Sequence, residues 1–323
     1  MKSYSKLAVI GSAGAATVAA AVGGTSFAIT KTLVDIALEH EPPAILTVIQ
    51  DKISQSNRTN AFLAEMERTE ALLLEKDTES VEIEARDGTV LRGHILHAEH
   101  PERIIIAFHG WRARWSRDFG MIADFWQDSG ATVIYAEQRG QNDSSYNHMG
   151  FGFIERYDCL DWAEYASSRF DSSLPIYLAG ISMGASTVLM SADLELPSRV
   201  HGIMADCGYT SADNIWRHVV HDNLHLPCRL RAKIANRLCM KKTGYGSDEI
   251  NTLNVLKNAK VPVLFIHGLD DNFVPVEMSY RNYEACSSPK RLLTVPGADH
   301  GMSYYLDKTG YESTLLKFWR EFD

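Results

Sequence analysis

The feature that most constrains the fold is a glycine-bounded serine placed between an apolar run and a helix-compatible run. Residues 178–186 read Leu-Ala-Gly-Ile-Ser-Met-Gly-Ala-Ser, with Ser182 at the centre. The apolar run predicts a buried strand, and the small and aliphatic residues that follow predict a helix. Glycines two residues to either side let strand and helix pass closely while the hydroxyl stays exposed. The stretch therefore predicts Ser182 as a nucleophile on a sharp strand-to-helix turn.

This pattern alone is not specific, so its meaning depends on which residues follow it. A second apolar run, 261–266, leads into a loop that holds Asp270 and Asp271, and a third, 291–295, leads into the loop of His300. Each loop begins at the C-terminal end of a predicted strand, where open parallel sheets place their sites. The chain order of serine, carboxylate and histidine predicts a catalytic set of Ser182, Asp271 and His300.

Three segments in register make the chain similar to the α/β-hydrolase superfamily over about residues 80–323. It most resembles bacterial membrane-anchored or secreted serine hydrolases related to dienelactone hydrolases and to the catalytic domain of prolyl oligopeptidases. The resemblance implies an α/β fold with a mainly parallel central sheet flanked by helices. It also implies a helical cap inserted at about residues 211–258.

The same resemblance points to an oxyanion hole made by the backbone N–H groups of Trp111 and Met183. Acyl transfer places negative charge on the former carbonyl oxygen, which such donors stabilise. Trp111 follows a predicted buried strand, 103–108, and the pair His109-Gly110. Some esterases carry a run of glycines at this point, whereas this chain has one glycine and a tryptophan.

Other residues compete for two of the catalytic roles. Asp271 matches the family position three residues before Val274-Pro275, with Asp270 as the alternative, while Asp299 is too near His300 in sequence to face it readily. His109 and His267 also follow strands, and we expect them to brace loops by hydrogen bonding. His300 is preferred as the base because it comes last, before the final helix.

The chemistry expected of this set is acyl transfer. A serine hydroxyl needs a nearby base, histidine has a suitable pKa near 6.5, and a carboxylate fixes its tautomer. The sequence predicts a serine hydrolase that cleaves carboxylic esters through an acyl-serine intermediate, without a metal or organic cofactor. A peptidase, a thioesterase or an acyltransferase would use the same residues. A catalytically silent binding domain at the cell surface is the alternative from another class.

The N-terminus predicts a membrane segment. Lys2 and Lys6 precede Leu7–Thr30, which contains no charged residue and is long enough to cross a bilayer. Lysines before it and acidic residues soon after it predict a single-pass protein with the catalytic domain outside. Residues 1–30 are thus expected to be a signal anchor, with a cleaved signal peptide and secretion as the alternative.

Between this segment and the catalytic domain of residues 79–323, we expect a helical stalk over 31–78. Two apolar stripes at helical spacing indicate packing against the domain or against a membrane surface. The first comprises Ile45, Leu46, Ile49 and Ile53, and the second Phe62, Leu63, Met66 and Leu73.

Composition bears on partners. The net charge of −9 argues against nucleic acid, so the expected partners are a small ester, or a peptide or other acyl substrate, and the membrane.

The cap contains three histidines that could share a helix face around a metal, namely His218, His221 and His225. No further ligand completes a known metal-binding motif. The tryptophans Trp111, Trp115 and Trp216 could line an aromatic or acyl pocket or belong to the core. The chain has five cysteines, and its sequence leaves open whether Cys228 and Cys239 form a disulfide bond.

Overall fold

The computed structural model describes residues 24–40 and 57–323. The predicted membrane segment lies outside the described residues except for its last positions, 24–30. The first apolar stripe of the expected stalk lies outside them entirely. Within the described ranges, no helix combines the length and the low polarity needed to cross a bilayer.

An eight-stranded sheet forms the centre of the domain. Its strands are β1 (Glu79–Glu84), β2 (Val90–Leu96), β3 (Arg103–Phe108), β4 (Ala131–Ala136), β5 (Ile176–Ile181), β6 (Val200–Asp206), β7 (Val263–Gly268) and β8 (Lys290–Val295). They lie in the order β1-β2-β4-β3-β5-β6-β7-β8. β2 is antiparallel to both of its neighbours, and all later pairs are parallel.

Helices cover both faces of this sheet. They are α1 (24–38), α2 (Asn57–Leu74), α3 (Trp115–Phe119), α4 (Ala123–Asp128), α5 (Glu155–Arg169), α6 (Met183–Met190), α7 (Ala212–His218), α8 (Arg229–Thr243), α9 (Thr252–Leu256), α10 (Val276–Ala285), α11 (Ser303–Leu306) and α12 (Lys308–Phe322). A π-helical turn, Val219–Asn223, continues α7. The predicted α/β fold with a mainly parallel sheet is confirmed.

The strands β3, β4 and β7 are buried along their whole length because helices cover both faces of the sheet. Ile104 and Ile106 of β3 enter one hydrophobic cluster, with Cys159 and Trp162 of α5, and Ile105 enters the cluster on the opposite face. At the edge, β1 alternates between exposed and partly buried positions. This arrangement places the C-terminal ends of β3, β5, β6, β7 and β8 along one side of the domain.

The described N-terminal helices pack against the catalytic domain. Val34 and Leu38 of α1 are buried in a cluster with residues of α6 and the cap. Phe62 of α2 packs with Val295 and Met302, which lie at the end of β8 and before α11. The second apolar stripe of the expected stalk is therefore packed against the catalytic domain, which is one of the two placements that its spacing predicted.

Two expected ranges can be compared with the helices. α1 runs through residue 30, where the membrane segment was expected to end, and Thr30 is buried. The insertion between β6 and β7 contains α7, the π-helical turn, α8 and α9, within the range expected for the cap.

Candidate active site

Ser182 lies on a strained turn between β5 and α6. Its backbone φ of 55° and ψ of −115° fall in a region that residues other than glycine rarely adopt. A Cβ on Gly184 would lie 1.8 Å from the carbonyl oxygen of Phe108, and one on Gly180 would lie 2.3 Å from the backbone of Gly184. The two glycines therefore allow the helix to start directly over the ends of the strands. The Ser182 N–H donates to the Asp206 carbonyl at 2.9 Å, which ties the turn to β6.

Three side chains from three loops form a hydrogen-bonded series at this edge. The Oγ of Ser182 lies 2.8 Å from Nε2 of His300, and Nδ1 of His300 lies 2.7 Å from Oδ2 of Asp271. The other oxygen of Asp271 accepts from the N–H groups of Phe273 at 2.9 Å and Val274 at 2.8 Å. The Asp271 carboxylate thus keeps a proton on Nδ1 of the ring. In the neutral imidazole, this leaves Nε2 free to accept a hydrogen bond from the serine hydroxyl.

The competing carboxylates lie elsewhere. Asp270 is exposed, and its backbone N–H donates to Ala298. Asp299 accepts through Oδ1 from the N–H groups of Asn272 and His300, so it shapes the loop rather than contacting the ring nitrogen. Of the three, the structure brings Asp271 to the His300 ring.

The charges around His300 favour an ion pair. Burial alone would raise the pKa of Asp271, but the charge of His300 and hydrogen bonds from His267 and His300 hold it well below its usual range. Burial alone would lower the pKa of His300, whereas Cys207 and the Asp271 carboxylate raise it well above its usual value. Burial raises the pKa of the Cys207 thiol to about 11, so this thiol is neutral at pH 7. The negative charge beside His300 at neutral pH is therefore that of Asp271.

Cys207 was not expected beside the histidine. It directly follows β6 with a φ of 50°, is buried, and its Sγ lies within 4.8 Å of a ring nitrogen of His300. The ligand atoms of Cys207, Asp271 and His300 lie within 4.8 Å of one another, the one such set that could hold a metal among the described residues. Sequence spacing could not reveal this contact, because it depends on the pairing of β6 with β7.

The cap histidines do not converge in this way. His218 meets Asp222 through Nδ1 at 2.8 Å and the carbonyl of Asn272 through Nε2 at 3.1 Å. His221 meets Asp222 at 2.6 Å, and His225 is exposed in the following loop. His218 therefore joins the cap to the loop of Asp271.

The two other histidines that follow strands are buried and brace loops. Nδ1 of His109 donates to the Gly110 carbonyl at 2.8 Å, and its Nε2 accepts from the N–H of Gln138 at 3.1 Å. His267 lies between Ser279, at 2.6 Å from Nδ1, and the Val274 carbonyl, at 2.8 Å from Nε2. Neither reaches Ser182 in place of His300.

One expected oxyanion donor, Met183, directly follows Ser182, and the other, Trp111, lies on the loop after β3. Met183 is the first residue of α6, where N–H groups have no acceptor within the helix. The loop of Trp111 passes against the serine, since a Cβ on Gly110 would lie 3.4 Å from the Cβ of Ser182. Asp118 fixes this loop by accepting from the Gly110 N–H at 2.7 Å, and burial raises its pKa to about 6.

Helix α1 is held by the same loop. The indole Nε1 of Trp111 donates to the Ala37 carbonyl at 2.9 Å. Arg112 has a φ of 53°, and its guanidinium donates to the carbonyls of Ile36 at 2.8 Å, Glu39 at 2.6 Å and His40 at 3.2 Å. A basic side chain at the C-terminal end of a helix satisfies carbonyls that lack intrahelical donors. These partners are more than 70 residues apart, so no local pattern in the sequence pointed to them.

An apolar cavity of about 170 Å³ opens beside Ser182, between α1 and the cap. Its lining includes Met183, Phe151, Trp111 and Trp216. Trp115 lies outside it, buried against the His94 ring. Two of the three tryptophans expected near a pocket thus line one.

Comparison with known proteins identifies the relationship. The family model of the prolyl oligopeptidase family matches residues 117–322, more than half of the chain. The chain belongs to the prolyl oligopeptidase family. It is therefore a serine hydrolase of the α/β-hydrolase superfamily, as the resemblance in its sequence implied.

Among curated proteins, this member of the prolyl oligopeptidase family is 28% identical to the uncharacterized protein YqkD of Bacillus subtilis over 225 residues, covering 70% of this chain and 73% of YqkD. It is 23% identical to the uncharacterized protein YfhR of Escherichia coli K12, covering 74% and 80% of the two chains.

Among solved structures, the esterase Pf2001 of Pyrococcus furiosus superposes with a TM-score of 0.62 at 20% identity, covering 78% of this chain and 93% of the esterase. The acylaminoacyl peptidase of Pyrococcus horikoshii gives a TM-score of 0.57 at 15% identity, covering 76% and 42%. At these identities the two likenesses show a shared fold.

Proposed function

We propose that this protein is a carboxylesterase that works through an acyl-serine intermediate. The observation that carries the proposal is the unbroken series from Ser182 Oγ through His300 to Asp271, with contacts of 2.8 and 2.7 Å. Ser182 attacks the ester carbonyl, and His300 takes the hydroxyl proton and passes it to the departing alcohol. Asp271 stabilises the imidazolium formed in between.

The tetrahedral intermediate carries an oxyanion, and we assign its stabilisation to the N–H groups of Met183 and Trp111. Both residues line the cavity that Ser182 faces, which supports the assignment. The second half of the reaction repeats the first with water as the nucleophile and His300 again as the base. Every step uses residues of this chain and water alone.

A serine peptidase is the second candidate, because the family takes its name from an oligopeptidase and one structural neighbour is an acylaminoacyl peptidase. The cavity favours the ester. Two of its charged lining residues, Asp213 and Arg217, pair with each other, and Arg231 donates to the Pro227 carbonyl. These charges are occupied by protein partners rather than offered to a peptide.

The test is to label the full-length protein with a fluorophosphonate and to measure turnover of p-nitrophenyl acetate. We expect labelling and turnover in the wild type, with both lost in Ser182→Ala and both retained in the exposed control Ser168→Ala. Folded wild-type protein that neither labels nor turns over the ester would refute the proposal. Faster cleavage of peptide p-nitroanilides than of esters would favour the peptidase.

We also propose that the N-terminal segment attaches the enzyme to a membrane with the catalytic domain on the outer face. The uncharged stretch up to Thr30 supports this, as do Phe27 and Ile29, apolar residues exposed on the first turns of α1. Fractionation of cells that express the full chain should place it with membranes, and external protease should degrade it. Recovery in the medium would indicate secretion instead, and recovery in the soluble cell fraction would contradict both.

A further inference from the structure

The cavity beside Ser182 has the composition of a hydrocarbon site. Most of its apolar lining comes from α1 and the cap, which the catalytic series does not use. α1 contributes Leu33, Val34 and Ala37, and the cap contributes Trp216, Val219 and Ala232. A ligand group that lies here leaves water for aliphatic and aromatic surface.

The few polar groups of the lining are turned to protein partners. The Tyr209 hydroxyl donates to the Phe151 carbonyl at 3.1 Å, and Asp213 pairs with Arg217. In the described part of the chain, Trp216 Nε1 and Arg231 Nε lack acceptors, but both atoms are sealed and so present no donor to the cavity. The cavity therefore offers a ligand contacts with hydrocarbon and little hydrogen bonding.

Its size limits what can fill it. The cavity measures about 170 Å³, and an apolar cavity of about 150 Å³ holds one benzene molecule in another protein. A group of roughly six carbon atoms is thus the natural occupant. The cavity also begins at the nucleophile, because Ser182 and Met183 belong to its lining.

From this placement we propose that the cavity binds the acyl chain of a medium-chain ester, with α1 as one of its walls. The inference rests on the proposed esterase function and names the substrate class of that site. The acyl carbon bonds to Ser182 Oγ, and a chain of about six carbons extends between α1 and the cap, while the alcohol departs on the other side.

The first arm of the test varies the acyl chain at a constant leaving group. For p-nitrophenyl acetate, butyrate, hexanoate and octanoate on the full-length protein, we expect kcat/KM to rise by up to about fourfold per methylene as far as hexanoate and then to level off. Alkyl acetates from ethyl to hexyl should show no comparable rise. A flat acyl series would overturn the proposal, and so would a rise confined to the alkyl acetates.

The second arm fills the cavity. Ala232→Trp should lower the ratio of kcat/KM for hexanoate over acetate by at least about tenfold, because the indole takes the space of the chain. Ala28→Trp, the same change on the exposed face of α1, should leave the ratio as in the wild type. An unchanged ratio in Ala232→Trp would contradict the assignment.

A third variant guards against misfolding of Ala232→Trp. Val34→Ala enlarges the cavity from the α1 side and should move the preferred chain length upward, towards octanoate. Labelling of Ser182 by a fluorophosphonate separates the two levels of the argument. Protein that labels and cleaves acetate but shows no chain-length preference retains the proposed function and loses the acyl-chain site, whereas protein that does not label loses both.

Discussion

The loops at the sheet edge and the helices above them hold their side chains by different forces. At the edge, Asp271 accepts two backbone N–H groups and the His300 ring, and the Ser182 turn is bonded to β6. Above it, α1 and the cap meet mainly through apolar contacts, with polar links at their ends. The difference teaches that directional hydrogen bonds from the sheet hold the candidate catalytic side chains, whereas hydrophobic walls shape the proposed acyl-chain site.

The largest effect should come from the sheet edge. His300→Ala removes the base, and we expect kcat for p-nitrophenyl acetate to fall by about 10⁴-fold or more. The exposed His100→Ala is the matched control and should retain full activity. A loss below about tenfold in folded His300→Ala would mean that another group activates the serine.

Asp271→Asn should follow, with a loss of about 10³- to 10⁴-fold in kcat, because the amide can hold the wrong imidazole tautomer. The control is Asp270→Asn, which changes the neighbouring exposed carboxylate and should stay within about twofold of the wild type. A larger loss of kcat in Asp270→Asn than in Asp271→Asn would contradict the assignment of Asp271 as the carboxylate that supports His300.

The pH profile sharpens the same point without removing the base. The neutral imidazole accepts the serine proton, so kcat/KM should rise with pH through the pKa of His300, at a pH above the usual 6.5. Asp271→Asn removes the carboxylate that raises this pKa, so the rise should move to lower pH. A midpoint that stays in place in the variant would show that the Asp271 charge does not act on His300.

A smaller effect should connect the two regions. Arg112→Ala removes the guanidinium that binds the carbonyls at the end of α1, which should weaken the docking of α1 by about 2 kcal/mol. We expect faster hydrogen exchange in residues 24–38 and a loss of about tenfold in kcat, since Trp111 and Arg112 share one loop. The neighbouring Arg114→Ala, at an exposed side chain, is the control. Unchanged exchange in Arg112→Ala would show that α1 is held by its apolar face alone.

The sequence predicted the sheet edge well because each part has a local signature. Buried strands, the glycines around Ser182 and the loops of Asp271 and His300 follow from runs of a few residues. The predicted helix α6 starts at Met183, because the strained turn begins the helix directly after the serine.

The helical region was predicted less well because its contacts join distant parts of the chain. The bonds from Arg112 to α1 and the position of Cys207 beside His300 have no counterpart in any short pattern. The expected end of the membrane segment at Thr30 follows charge and hydropathy, whereas α1 continues as one helix because its buried side packs on the domain.

The most direct test of the central assignment is to trap the acyl-serine intermediate. Wild-type protein is mixed with excess p-nitrophenyl hexanoate, quenched in acid during the first turnovers and examined by intact-mass and peptide mass spectrometry. We predict a mass increase of one hexanoyl group that maps to the peptide of Ser182 and is absent in Ser182→Ala. A hexanoyl group found on Cys207, or one that persists in Ser182→Ala, would contradict the assignment of Ser182 as the nucleophile.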